Sequence, residues 1–231
     1  MLPVESLKQA KLLAEQGNTQ QALDLLNNAY QILQANMPDP STPEGEEKYS
    51  AAKMVEGQIE AIMGEILLNN EEYHDALPHL LSALTIFRTQ EVNVEPKDII
   101  TCLEKLGETF GAIGSSLESD KYFLEAIEEK SKLIRTILTN MLQGAGWKVK
   151  MDVPMQDLGG KIDILAVKGA FKKKQQRIWL VRDAEEVSTL MFLVKQIKGK
   201  KTFYLLKGDP ASVYLTDKYV KVVNDPQEIS L

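Results

Sequence analysis

"GGKIDILAVKGAFKKKQQRIWLVRDAEE", residues Gly159 to Glu186, places a lysine-rich turn between two runs of Ile, Leu, Val and Trp. Short β-branched and aromatic runs bounded by Gly, Lys and Asp are the composition of buried strands, so the stretch reads as two neighbouring strands. Asp163 stands inside the first run and Arg182 near the end of the second. Burying a charge in a sheet is costly unless it is paired or at work, and that makes this pair the first place to look for chemistry.

Outward from that stretch, "WKVKMDV", "KTFYLL" and "SVYLT…YVKVV" have the same strand composition. Between the strands, "DAEEVSTLMFLVKQIKG" reads as a helix. Asp183 and Glu186 form a capping-box pattern, Val187, Leu190, Met191, Val194 and Ile197 share one face, and Gly199 closes it. The expected order is helix, three strands, helix, strand, then a hairpin or edge strand.

Upstream the period changes. From Val4 to about Gln143, apolar residues recur every three or four positions, as in Leu23, Leu26, Ala29, Tyr30 and Leu33. Breaks at "EQGN", "MPDPSTPEGEE", "NNEE", "EVNVEP" and "GSSLES" divide this region into about six helices, arranged as three antiparallel pairs. "MPDPSTPEGEEK", Met37 to Lys48, lacks apolar periodicity and is expected to be a mobile surface loop. The stripe of Phe123, Ile127, Ile134, Leu138, Met141 and Leu142 runs on until "GAG". It predicts one long helix, straight or bent near Glu128 to Ser131, that belongs to both a 1–127 and a 128–231 domain and joins them rigidly.

The chain has 231 residues, of which 44% are hydrophobic, enough for a real core. Its single cysteine, Cys102, excludes an internal disulfide framework. No apolar run approaches the ~18 residues of a membrane span, and the first residues lack a signal-peptide core, so a cytoplasmic location is expected. Up to Ile127 there are 8 Lys and Arg against 21 Asp and Glu; beyond it there are 19 against 12. This reversal fits two segments with different tasks, or two that attract each other.

"AKLLAEQGNTQQALDLLNNAYQIL", "GEILLNNEEYHDALPHLLSALTIF" and "GETFGAIGSSLESDKYFLEAIEEK" align without a gap. This resembles the tetratricopeptide repeat. The family's small residue on the first helix falls on Ala10, Gly64 and Gly107, and its bulky partner on Leu13, Leu67 and Phe110. Its small-bulky-small set on the second helix falls on Ala22, Leu26 and Ala29, on Ala76, Leu80 and Ala83, and on Ser119, Phe123 and Ala126. Two departures stand out: the steps between Ala10, Gly64 and Gly107 are 54 and 43 residues, against ~34 in the standard repeat, and Ser119 replaces alanine. The resemblance implies a superhelix of helical hairpins with a concave groove for a protein partner.

The segment from about Glu128 to Val223 resembles the restriction-endonuclease-like fold of the PD-(D/E)xK nucleases. The fold class expected for the whole chain is therefore α plus α/β, with tetratricopeptide-like antiparallel hairpins followed by a small mixed-sheet αβββαβ domain. The family's aspartate maps to Asp163, its second acid to Leu180 and its lysine to Arg182. On a strand Leu180 and Arg182 share a face that could lie beside Asp163. Leucine offers no oxygen ligand to Mg²⁺, and arginine stays charged and cannot accept a proton. The motif is degenerate, and a bound Asp163–Arg182 pair is the expected arrangement. A working metal site would have to recruit Asp152, Asp157, Asp183 or Glu185; the third alternative is a phosphate-binding pocket without activity. Glu128 and Glu129 have no fixed register and are assigned no role.

The turn brings Lys168, Lys172, Lys173, Lys174 and Arg177 together, with Lys195, Lys198, Lys200 and Lys201 following. These are candidates for nucleic-acid phosphates, although a lysine-rich hairpin tip is more often a solvated turn or a guarded edge, and regular aromatic interleaving is missing. His74, His79 and Cys102 read as structural. The expected function is a non-catalytic adaptor that binds a protein through its repeats and carries a pseudo-nuclease domain, with no cofactor. The alternative is a Mg²⁺-dependent nuclease or nucleic-acid binder targeted by the repeats.

Overall fold

The computed structural model describes residues 3–89, 92–155, 160–169, 174–182, 184–194, 200–206, 220–222 and 229. The chain divides into two compact units, 1–126 and 127–231.

In the first unit, α1 (Pro3–Glu15), α2 (Thr19–Ala35), α3 (Pro43–Asn69), α4 (Tyr73–Phe87), α5 (Pro96–Ala112) and the start of α6 (Ser116–Gly144) form three hairpins. All three turn in the same way. Gly17, Glu71 and Gly114, which the gapless alignment superposes, have φ of 79°, 64° and 84°. After each of them the next backbone N–H reaches back to the preceding helix: Asn18 to the Leu13 carbonyl at 2.8 Å, Glu72 to Leu67 at 2.9 Å, and Ser115 to Phe110 at 2.9 Å. This is the Schellman closure, which needs a left-handed residue and so favours glycine. Glu71 holds that position with a side chain, against the Cβ sterics that make the conformation costly. Replacing it with glycine is expected to stabilise the protein by about 1 kcal/mol, read as a higher denaturation midpoint. A lowered midpoint would show that the Glu71 side chain matters more than its backbone.

The repeated small residues lie where helices cross. Ala10, Ala22, Ala76 and Ala83 are fully buried, and a Cβ on Gly64 would stand 2.6 Å from the Leu80 side chain. Ser119 departs from alanine for a visible reason: its hydroxyl donates from α6 to the Gly107 carbonyl of α5 at 2.7 Å. The long step between the first two repeats is taken up by α3, which is 27 residues long. Its beginning corrects the expected loop. Pro43 to Lys48 are helical, because Thr42 caps the helix by accepting from the Gly45 N–H at 3.1 Å and Pro43 opens it at N1.

α6 runs unbroken for 29 residues. Its early residue Ala126 packs with Leu103 and Leu106 of the first unit, while Ile134, Leu138 and Leu142 belong to the core of the second. Gly146, at φ 78°, ends it.

The second unit holds β1 (Lys148–Pro154), β2 (Lys161–Lys168), β3 (Lys174–Val181), α7 (Ala184–Val194), β4 (Lys200–Leu205) and β5 (Val220–Val222). The strands form one mixed sheet in the order β1-β2-β3-β4-β5. The first three are antiparallel neighbours, and β4 and β5 run parallel to β3 after the α7 crossover. β3 starts at Lys174, so Lys174 and Arg177 lie on a strand rather than in the expected turn. The expected strand at "SVYLT" lies outside the described residues, and "YVKVV" supplies the short parallel edge strand β5.

Each face of the sheet has its own core. Ile164, Ala166, Ile178 and Tyr204 pack with the α6 leucines. Trp179 stacks on Phe203 with ring centroids 5.1 Å apart, in a cluster with Ile162, Val181 and Val187 of α7. Ile162 and Ile164, two residues apart, thus serve opposite cores, so alternation fails between them. The failure sits opposite Asp152, whose φ is +49° and which drops out of the pairing between Met151–Ile164 and Val153–Ile162. An aspartate tolerates this left-handed backbone better than most side chains.

Candidate functional site

That irregular step positions a polar cluster. Asp163 is 9% exposed. One of its oxygens accepts from Arg135 Nη2 at 2.6 Å and the other from the Leu180 backbone N–H at 2.9 Å. Arg135, one turn before Leu138 on α6, also grips Asp152 with both Nη atoms at 3.0 Å. Lys161 Nζ adds a contact to Asp152 at 2.5 Å. These hydrogen bonds, from Arg135 first and Lys161 second, hold the Asp152 carboxyl well below the usual carboxylate range, and the bond to Asp152 leads in raising Arg135.

The local backbone explains why Asp163 is needed. Pairing between β2 and β3 extends from Lys168–Lys174 to Ile164–Ile178 and then stops. Past that point side chains satisfy the backbone: Asp163 takes the Leu180 N–H, and the Trp179 indole donates to the Lys161 carbonyl at 3.0 Å. Unpaired buried backbone groups would otherwise each cost about 1–3 kcal/mol.

The arrangement corrects the expected partner. Asp163 pairs with Arg135 and not with Arg182. Arg182 is exposed, its Nε 3.6 Å from Glu186, and its backbone N–H donates to the same carboxylate at 2.7 Å. The sequence did contain a signal for Arg135: it lies three and seven residues before Leu138 and Leu142, on the edge of the buried stripe, where a cation can reach the sheet. Of the acids weighed as substitutes, Asp152 is brought to Asp163 through Arg135, Glu185 is exposed in the first turn of α7, and Asp157 and Asp183 lie outside the described residues.

Chemically, Arg135 puts a permanent cation between two carboxylates, the place a divalent metal would take. Leu180 presents a donor N–H there and no ligand. Among the described residues no three His, Cys, Asp or Glu side chains come together.

Of the proposed phosphate contacts, Lys172, Lys173, Lys195 and Lys198 lie outside the described residues. The others gather at one end of the sheet. Lys168 pairs with Lys174 across β2 and β3, Arg177 with Lys201 across β3 and β4, Lys200 faces Gln176, and Lys148 enters from β1 opposite Val167. Asp152, Asp163, Glu185 and Glu186, the described acids beyond α6, stand toward the other end. The sheet thus carries a basic band across four strands, about 14 Å wide at ordinary strand spacing.

The remaining candidates are structural. Cys102 is buried, donates to the Leu80 carbonyl at 3.3 Å, and burial pushes its thiol up to about 12. His79 Nδ1 lies 2.7 Å from Glu60. Among the described residues no helix is long and apolar enough to cross a membrane. Comparison with models of known protein families and with curated proteins finds no match to this chain.

Proposed function

We propose that this protein is a non-catalytic adaptor, a tetratricopeptide-like platform that binds a protein partner and carries a nuclease-like domain without nuclease chemistry. The observation that carries the reading is Arg135. Its guanidinium engages both carboxylates that a metal would need, and it can neither leave its charge nor act as a base. On the helical side, the support is the shared turn of the three hairpins and the groove that their first helices line.

The purified protein is expected to leave DNA and RNA intact in Mg²⁺ or Mn²⁺ and to show no metal-dependent rise in melting temperature, since a ligand of the folded state alone would raise it. Asp163→Ala is expected to change stability only. Metal-dependent nicking by the wild type, abolished by Asp163→Ala, would overturn the reading.

A second reading, nucleic-acid binding without cleavage, draws on the basic band. If it is right, the protein is retained on heparin or DNA at low salt. Replacing Lys168, Lys174, Lys200 and Lys201 with alanine then lowers the log-log salt slope by about one unit per lost phosphate contact. Absence of retention leaves the band a solvated sheet end.

A further inference from the structure

Among the described residues Lys130 is the one buried cation, 8% exposed. It interrupts the apolar stripe of α6, four residues after Ala126 and four before Ile134, with Leu138 and Leu142 following at the same spacing, all of them buried. Other cations of this helix and sheet are paired: Lys132 with Glu129 at 2.8 Å, Arg135 with Asp152 and Asp163, and Arg182 with Glu186. Lys130 is not. Among the described residues no hydrogen bond, ion pair or ring contact reaches its ammonium, and the positions one turn away, Ala126, Ile127, Leu133 and Ile134, offer no carboxylate. A lysine that only laid its stem over apolar surface would keep its head in open water. One this enclosed, without an anion, costs stability.

The fold gives this ammonium a place. Lys168, at the end of β2, donates to the Ala145 carbonyl just past α6, while Arg135 meets Asp163 near the start of β2. Lys130 lies five residues before Arg135, about 7.5 Å further along the helix axis and off the start of β2. That is the end at which β3 and β4 finish, since β3 is antiparallel to β2 and β4 is parallel to β3. Leu180 of β3 and Leu206, just past β4, share an apolar cluster with Ile127, Ile134 and Ile229. Ligands of open α/β sheets bind outside the carboxyl ends of parallel strands. The Lys130 Nζ is not among the fully enclosed atoms left without a hydrogen bond, so it keeps a narrow opening to solvent.

We infer that Lys130 anchors a binding site for a small monocarboxylate with an aliphatic body, at the carboxyl ends of β3 and β4. One compact ammonium neutralises one carboxylate, and the Ile and Leu side chains of the cluster match an aliphatic body. A phosphate would call for forked or multiple donors, and Arg135 and Arg182 have committed theirs to Asp152, Asp163 and Glu186. The site uses neither the Arg135 network nor the basic band, and it does not depend on the adaptor reading.

The test is thermal unfolding of the full chain at neutral pH in sodium isovalerate, acetate, phosphate or chloride at one ionic strength. It compares the wild type with Lys130→Met, which keeps an apolar stem of similar length. Isovalerate is expected to raise the wild-type Tm saturably, by about 3 °C or more at about ten times its Kd. Acetate is expected to act only at higher concentration, and phosphate no more than chloride. Lys130→Met is expected to abolish the rise and, without ligand, to melt above the wild type, because it removes an unpaired buried charge. A Met variant that melts below the wild type would show that the ammonium has its partner within the chain, and the inference fails. It fails equally if no carboxylate raises the wild-type Tm, if phosphate raises it as much as isovalerate, or if the rise survives in Lys130→Met.

Discussion

Arg135→Met is expected to destabilise the second unit by about 3 kcal/mol, because it leaves a buried carboxylate without its cation. The two halves of the network do not weigh equally. The Asp152 side chain is 45% exposed, so its pairing is screened by water and contributes little. The Asp163 side chain is 13% exposed, and its second oxygen is already committed to the Leu180 N–H. Water cannot readily replace Arg135 there. Asp163→Asn in the same background removes the stranded charge yet keeps an acceptor for Leu180, and it is expected to recover more than half of the loss.

The pH dependence gives an independent readout. In the wild type, Asp152 titrates below its ordinary range when folded, so its contribution is full above that range and is lost as pH falls through the depressed value. In Arg135→Met the Asp152 carboxyl loses the first of the hydrogen bonds that depress it, so this acid-side loss becomes smaller. The variant is expected to lose less stability than the wild type as pH falls into the acid range. Urea midpoints across that range check both claims. A cost below about 1 kcal/mol, with parallel pH curves, would reduce the network to a surface ion pair.

Gly64→Leu is expected to cost about 3 kcal/mol or more in the helical unit. A Cβ at this position would already lie 2.6 Å from Leu80 Cγ and 3.2 Å from the Ala76 carbonyl oxygen, and Leu80 is 1% exposed. The flexible side chain has nowhere to go, and the backbone carbonyl belongs to α4. Because glycine is a poor helix former, Gly64→Ala gains about 1 kcal/mol of propensity that offsets part of its smaller clash. Adding Leu80→Ala to Gly64→Leu returns volume to the crossing and is expected to restore part of the loss. Equal stability of Gly64→Leu and wild type in urea would mean that α3 and α4 do not cross as closely as the repeat pattern requires.

Much of this protein is legible in its sequence because local rules suffice. Apolar spacing and the small residues at the crossings are periodic, so three like hairpins follow from alignment alone. The long α6 follows from an apolar stripe without a break. The start of α3 was legible too, in Thr42-Pro43, but an acidic, proline-rich composition concealed a helix cap. The αβββαβ order follows from strand composition and one cap.

The partner of Asp163 needed the tertiary structure. Strict alternation placed Arg182 beside it, but alternation fails where Asp152 turns left-handed, and β3 leaves β2 beyond Ile178. Arg135 is 28 residues from Asp163 in the chain, and whether a residue on the edge of a helical stripe meets solvent or a carboxylate depends on the strand packed beneath it. The helical groove has the same origin. Lys8 and Lys105 lie far apart in a sequence dominated by acids, and only the packing of α1, α3 and α5 brings them to one groove. Composition set the total charge of this chain, and packing decided which of its charges meet.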